Sequence, residues 1–502
     1  MSNNLVKNIL NAKVYGAAIV TPLDFAKNLS SRLNNQIWIK REDLQPVFSF
    51  KIRGAYNLMA QLTESQKKQG VICASAGNHA QGLAESARLM GVKATIVMPN
   101  TTPEIKVSAV RSKGAKVILH GDAYDNALEH SLELTKQQGF TYVHPYDDPY
   151  VMAGQGTVAM ELLNQIETVD AVFIPVGGGG LISGMAAYIK YLRPEIKVIG
   201  VEYEESACLA AALKAGKPVR LEQVGIFADG VAVAQIGDNP WEICKDHVDE
   251  VVTVNADEIC AAIKDVFDDT RSVAEPAGAL SIAGMKKFIE SNDLSNQNLV
   301  TVCSGANVNF DRLRHVAERA EIGEHREAVI AVTIPEKPGS YQHFINVIGR
   351  RAITEFNYRY ADEKEARIFV GIQISGNDDR FALVKQLEEE GYAVLDLTED
   401  DLAKSHIRHM VGGHSDAVNN EVIYRFEFPE RPGALLNFLR KLGKNFNISL
   451  FHYRNHGAAY GRVLCGMQVK PEDQSKFSAT LNDLGYPYWN ETENPAYKLF
   501  LG

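Results

Sequence analysis

"AVFIPVGGGGLISGMAAYIKYLRPEIKVIGVE", residues 171 to 202, places an apolar run, four consecutive glycines, an apolar helical stretch and a β-branched run in series. Strand, loop, helix, strand in that order predicts a parallel sheet with helices on its faces. "GVICASAGNHAQGLAESARLMGVKATIVMPN", residues 70 to 100, reads the same way. In open sheets of this kind ligands bind at the carboxyl ends of strands, so the loops of both units are the first places to look for chemistry.

The glycine loop, Gly177, Gly178, Gly179 and Gly180 followed by Leu181, lets backbone N–H groups crowd around an anion, and the helix behind it adds a favourable dipole. A phosphate fits such a loop. The dinucleotide fingerprint fails, because counting from Gly178 and Gly180 the third glycine position is Ser183; the Walker A pattern fails because Met185 follows Gly184. A flexible turn is the plainer reading, but linkers rarely interrupt a βαβ unit.

Four further stretches carry candidate groups. "ASAGNHAQG", residues 74 to 82, exposes main-chain donors at a helix N-terminus, suited to a carboxylate, and Asn78 offers a side-chain amide to a phenolic oxygen. An ordinary helix cap with a surface His79 is the alternative. "CSGAN", residues 303 to 307, puts Ser304 at a strand's carboxyl end, where it could face a ring nitrogen or simply serve a turn. "AEPAGA" sets Glu275 before a proline and a helix, and helix capping accounts for it. Last, "VFSFKIRGAYN", residues 47 to 57, places Lys51 after an aromatic run, where burial is costly unless the amine is paired or neutral. A phosphate, a phenolic oxygen, a ring nitrogen and an electrophile for Lys51 coexist in pyridoxal phosphate. A desolvated Lys51 would form a Schiff base with its aldehyde, and Phe48 and Phe50 could supply the dry setting.

Composition agrees with a large enzyme. The 502 residues are 45% hydrophobic, enough for two or three domains. A formal charge of -10 disfavours nonspecific binding to nucleic acid or anionic membranes. The six cysteines form no C-x-x-C pair and no zinc-finger spacing, which predicts a reducing compartment and neither a disulfide framework nor a structural zinc. No apolar run reaches the roughly 18 residues of a membrane helix, and the N-terminal stretch reads as no targeting peptide, so a cytoplasmic location is expected.

Beyond residue 325 the chain repeats itself. "TIPEKPGSYQHFINVIG" from Thr333 matches "EFPERPGALLNFLRKLG" from Glu427 at an offset of 94; "ITEFNYRY" from Ile353 matches "ISLFHYRN" from Ile448 at 95, as "RIFVGIQI" does "RVLCGMQV". The offset returns to 94 at Gly391 and Gly485, which one inserted loop residue would explain. Each copy reads as a ferredoxin-like βαββαβ module. The expected layout is a catalytic α/β unit over 1–320 and two α+β modules over 325–408 and 420–502, with "VGGHSDAVNNE" between them as a linker.

"SFKIRGAYN", "SAGNHAQG", "PVGGGGLISG", "AEPAGALSIAG" and "SGANVNF" together resemble the fold-type-II pyridoxal-phosphate enzymes, specifically the biosynthetic threonine dehydratase (threonine deaminase) family. The resemblance runs over nearly the whole chain and implies a two-lobed, tryptophan synthase β-like catalytic domain followed by two ACT-like regulatory modules. It implies that Lys51 is the Schiff-base lysine, that Asn78 bonds the phenolic oxygen, that Gly177 to Leu181 hold the phosphate and that Ser304 bonds the pyridine nitrogen. The substrate carboxylate would sit on Ser75, Ala76, Gly77, Asn78 and His79. The implied reaction is β-elimination of L-threonine to 2-oxobutanoate and ammonia, the entry to isoleucine, with L-serine as a second substrate, isoleucine as inhibitor, valine as its antagonist and a homotetrameric assembly. Tyr358 and Tyr453, at matched positions of the repeat, are candidates to touch effectors. The related serine racemases carry a second serine where Ala76 stands and bind a divalent cation; here Glu202 is kept, but Cys208 replaces the last acidic ligand, so no Mg or Ca site is expected. A serine-preferring dehydratase and an inert amino-acid sensor are the competing readings.

Overall fold

The computed structural model describes residues 2–310, 312–335, 340–349, 351–358, 364–409, 419–429, 438, 442, 446–454 and 460–501. It divides into two compact units, Met1–Val316 and Ala317–Gly502.

The first unit is built on two sheets, as the opening stretch predicts. One has six strands in the order Leu23–Phe25, Gln36–Arg41, Asn298–Cys303, Ala171–Pro175, Lys197–Tyr203 and Glu250–Val254, all parallel except the first. The other is parallel, in the order Lys116–Leu119, Ala94–Met98, Val71–Ala74, Thr141–Tyr142. Every residue of Ala171–Pro175 and of Val71–Ala74 is buried, as strands covered by helices on both faces must be. These two strands lead into the glycine loop and the Ser75–His79 loop respectively, so the fold delivers both to strand carboxyl ends.

Helix Lys51–Met59 carries the candidate lysine and is fixed by close backbone approach and by buried charge. It packs on helix Pro149–Gln165, whose start is capped by Asp148, the side chain accepting from the Tyr150 and Val151 amides, with proline in the first turn. A Cβ on Gly154 would lie 2.6 Å from the Arg53 carbonyl oxygen, so the two helices meet where a side chain is missing. In the first turn of Lys51–Met59, fully buried Arg53 donates to Glu42 (2.7 and 2.8 Å) and Glu161 (2.6 and 2.9 Å), and buried Lys40 donates to Glu161 at 2.7 Å. Such a cluster tolerates burial because each charge has opposed partners and hydrogen bonds.

In the second unit both modules have the four-stranded antiparallel ferredoxin-like sheet. The spatial orders are Ile353–Tyr358, Glu365–Gln373, Glu327–Pro335, Ala393–Asp396, and Asn447–Arg454, Tyr460–Gln468, Glu421–Pro429, Tyr488–Asn490. Each second strand has a register shift at an equivalent residue, Thr354 and Ser449, whose hydroxyls donate past the intervening third strand to Glu327 and Glu421 on the first strands. Glu327 also accepts from Arg408 at 3.1 Å, whereas Glu421 accepts from the Tyr497 hydroxyl. The expectation of one inserted residue needs correcting: the return of the offset to 94 after the third strand requires a compensating deletion as well. Most of the linker, 411–418, lies outside the described residues, as do the side chains of Tyr358 and Tyr453; their backbones pair with Ile368 and Val463, matched positions in the two sheets.

Candidate active site

Lys51, Asn78, Gly177 to Leu181 and Ser304 line one cleft. Phe50, Tyr146 and Glu275 are also in its wall. The glycines are required there by sterics. A Cβ on Gly178 would come within 2.3 Å of the Tyr146 ring, and one on Gly180 within 2.9 Å of the Tyr146 carbonyl oxygen. Gly179, which precedes helix Gly180–Leu192, has φ +90°, a conformation that other residues reach only with strain. The loop therefore presents bare amides at a helix N-terminus, a fit for a phosphate.

Lys51 opens its helix, and its Nζ donates to the Pro145 carbonyl at 3.0 Å. Burial lowers the pKa of the amine from 10.5 to about 8, against the charge of Glu275, which raises it. Roughly a tenth of the amine is thus neutral at pH 7, far more than for an exposed lysine, and able to attack a carbonyl carbon. The preceding turn is tied to the Ser304 loop: Phe50 N donates to Ser304 O, and Ala306 N to Phe48 O. Phe48 itself sits at φ +57° and is 56% exposed, so it bends the chain and does not line the cleft; only Phe50 of the expected pair supplies dry wall. The Ser304 hydroxyl lies 3.1 Å from the Ala277 carbonyl.

The Ser75–His79 loop divides its labour. Asn78 begins helix Asn78–Met90, whose first-turn amides have no intrahelical acceptor, while Ser75 Oγ accepts from the Gly77 and Ala80 amides at 3.3 Å each. Ser75, Ala76 and Gly77 are half-buried. His79 is no surface residue: its buried ring meets the Val143 carbonyl at 2.9 Å and its pKa falls to about 3, chiefly by desolvation, so it offers the loop a backbone amide and no charge. Glu202 places one oxygen 2.8 Å from the Leu209 amide and the other 2.8 Å from the Ala210 amide, and Cys208 donates to the Gly177 carbonyl. The retained acid thus caps a helix end behind the glycine loop.

Glu275 corrects the capping expectation. It precedes helix Pro276–Ser291 but makes no side-chain cap bond; instead its Oε1 accepts from Asn78 Nδ2 at 2.5 Å. Burial, then the charge of Asp229, raises its pKa to about 7. Asn307 Nδ2 in turn donates to Asn78 Oδ1 at 2.6 Å and to the Val47 carbonyl. Sequence reasoning missed this role of Glu275 together with Asn307, Tyr146 and the Pro145 carbonyl. None has a local signal except Glu275, whose position before a proline concealed it.

The donor set matches pyridoxal phosphate group by group: an anion cradle, an amine of lowered pKa, an oriented amide and a hydroxyl. Residues 14–305 match the family of pyridoxal-phosphate dependent enzymes, and 318–407 and 412–501 each match the C-terminal regulatory domain of threonine dehydratase. The chain is 54% identical over 497 residues to the biosynthetic L-threonine dehydratase of Pasteurella multocida, covering 99% of this chain and 97% of that one. It belongs to the biosynthetic threonine dehydratases. The Escherichia coli dehydratase is 55% identical over 99% of this chain and 96% of its own. Among solved structures, the processed form of threonine deaminase isoform 2 from Solanum lycopersicum superposes with a TM-score of 0.63 at 47% identity, over 64% of this chain and 93% of that one. A serine racemase from Dictyostelium discoideum gives 0.57 at 31% identity, over 61% and 99%. As a dehydratase of this family the chain is a lyase that uses pyridoxal phosphate, and its second unit is regulatory.

Proposed function

We propose that the protein converts L-threonine to 2-oxobutanoate and ammonia at the Lys51 cleft, the committed step toward isoleucine, under feedback by isoleucine. The observation that carries this reading is the meeting of Lys51, Asn78, the glycine loop and Ser304 in one cleft, in a chain that matches threonine dehydratases from end to end. When bound, pyridoxal phosphate supplies an aldehyde for an amine and a ring that accepts the electron pair left by a departing Cα proton.

The residues supply the rest. Lys51 Nζ, its pKa lowered to about 8 by burial, would hold the cofactor and would be the group to take the Cα proton. The amides of the glycine loop anchor the phosphate, and the first-turn amides at Asn78 and His79 receive the substrate carboxylate. Ser304 would offer a hydroxyl to the ring nitrogen, where a carboxylate would instead hold the ring fully protonated; a hydroxyl there favours elimination over transamination. Ala76 offers no proton acceptor on the opposite face, which disfavours racemisation. L-Serine differs by one methyl, worth only about 1 to 3 kcal/mol of discrimination, so it is a second substrate. Valine as an opposing effector, a homotetramer and a cytoplasmic location complete the proposal, supported by the family's regulatory modules; among the described residues no helix is long and apolar enough to cross a membrane.

Keto-acid formation from L-threonine by the purified protein, with and without L-isoleucine, tests both halves. Activity suppressed by isoleucine is the expected result. Activity indifferent to isoleucine overturns the effector assignment, and absence of keto acid from a cofactor-loaded protein overturns the substrate.

A further inference from the structure

Asn78 is held by two neighbours that leave its amide no freedom to flip. Its Oδ1 accepts from Asn307 Nδ2 and its Nδ2 donates one hydrogen to Glu275 Oε1, so the second Nδ2 hydrogen is the group left for the cleft. Glu275 is itself fixed. It is 4% exposed, and a Cβ added to Gly305 would come within 2.3 Å of Oε1, so the carboxyl fills the space that this glycine leaves open. Helix Pro276–Ser291 and the Ser304 loop close around it: Glu275 N donates to the Gly305 carbonyl, and Gly278 N to the Glu275 carbonyl. The residue that sets the amide is thus anchored to the same loop that carries Ser304.

Resting on the reading of the cleft as a pyridoxal-phosphate site, we propose that Glu275 is a positioning residue: it aims the free Asn78 N–H at the cofactor's phenolic oxygen and couples that contact to its own charge. The charged groups that face Glu275 are Lys51 across the cleft and Asp229 behind it, and Asp229 is matched by Lys106 at 2.6 Å and Arg312 at 3.6 Å. With Asp229 held ionised by its two cations, Glu275 is the acid whose ionisation changes near neutral pH. An ionised Glu275 holds the Asn78 amide by a charge-assisted hydrogen bond and sets a negative charge beside the contact, whereas a neutral one holds it less firmly and adds no charge.

The test compares wild type with E275Q, E275A, N78A and the double variant E275A/N78A. Three quantities are read in each: the dissociation constant for pyridoxal phosphate, the pH midpoint of the visible absorbance of the lysine-bound cofactor, and the melting temperature of the cofactor-free protein. Loss of one hydrogen bond to a charged group corresponds to roughly 10- to 100-fold in affinity, so E275A should weaken cofactor binding by that factor and move the absorbance midpoint in the same direction as N78A. The double variant should be no worse than N78A, because Glu275 acts through Asn78. In E275Q the amide oxygen can still accept from Asn78, so affinity should stay within about threefold while the midpoint shifts for want of the charge. A merely structural role would lower the melting temperature and leave the midpoint unmoved, and that result overturns the proposal. Effects of E275A and N78A that add in full overturn it too. Should E275A fail to fold, the midpoint of E275Q decides: unchanged from wild type, it refutes the coupling. Wild-type protein that binds no pyridoxal phosphate fails at the earlier step and overturns the reading of the cleft itself.

Discussion

At the scale of residues, the chemistry turns on two buried groups titrated in opposite directions. Lys51 is drawn down to about 8 and Glu275 up to about 7, each mainly by desolvation. K51A should lower keto-acid formation from threonine by at least the roughly 100- to 10,000-fold attributed to a positioned proton-transfer group; near-normal turnover would refute the assignment. The two shifts also tie stability to pH. For Glu275 the folded protein keeps a proton that the unfolded chain has lost between 4.5 and about 7, so its contribution to stability falls as pH rises through that window. For Lys51 the unfolded chain holds the extra proton between about 8 and 10.5, and stability rises with pH there. Urea unfolding of cofactor-free E275Q should therefore lack a slope of up to about 1.4 kcal/mol per pH unit that wild type shows below pH 7. Identical slopes would mean that Glu275 is ionised throughout.

Elements decide where those residues stand. The strands before the glycine loop and the Ser75–His79 loop were legible because Ala171–Pro175 and Val71–Ala74 are short apolar runs next to glycine or small residues, and period and punctuation are local properties. Glu275 was not legible, because its partner Asn78 is 197 positions away and only the packed helices bring them together. Phe48 misled for a related reason: a hydrophobic run does not disclose that one member adopts a positive φ and turns outward. Two substitutions check the element-level argument. G178A forces its Cβ into the Tyr146 ring, and cofactor affinity should drop at least about tenfold by titration, since the amide that remains is displaced from the cradle. R53M strips the cation from between Glu42 and Glu161, and denaturant unfolding should register a loss of about 3–5 kcal/mol, the usual cost of leaving a buried charge alone. A change under 1 kcal/mol would show that the cluster does not pin helix Lys51–Met59.

For the whole molecule, the two units have separate cores. The clusters around Val172 and Ile182 and around Val71 and Ile96 belong to the first, and those around Ile330 and Phe344 and around Phe426 and Phe477 to the second. A chain ending at residue 324 should keep threonine turnover within severalfold of the full protein and ignore isoleucine; a truncated enzyme that isoleucine still inhibits would place the effector site in the catalytic unit. The register shifts at Thr354 and Ser449 recur in the two modules with different company. Both copies bind the shifted hydroxyl to a carboxylate at the same place, Glu327 and Glu421, yet the second partner is a guanidinium in one and a phenol in the other. The hydroxyl–carboxylate clasp travels with the bulge in both modules, while the second neighbour sets the electrical company of each carboxylate: a cation offsets Glu327, and a neutral phenol leaves Glu421 its full charge.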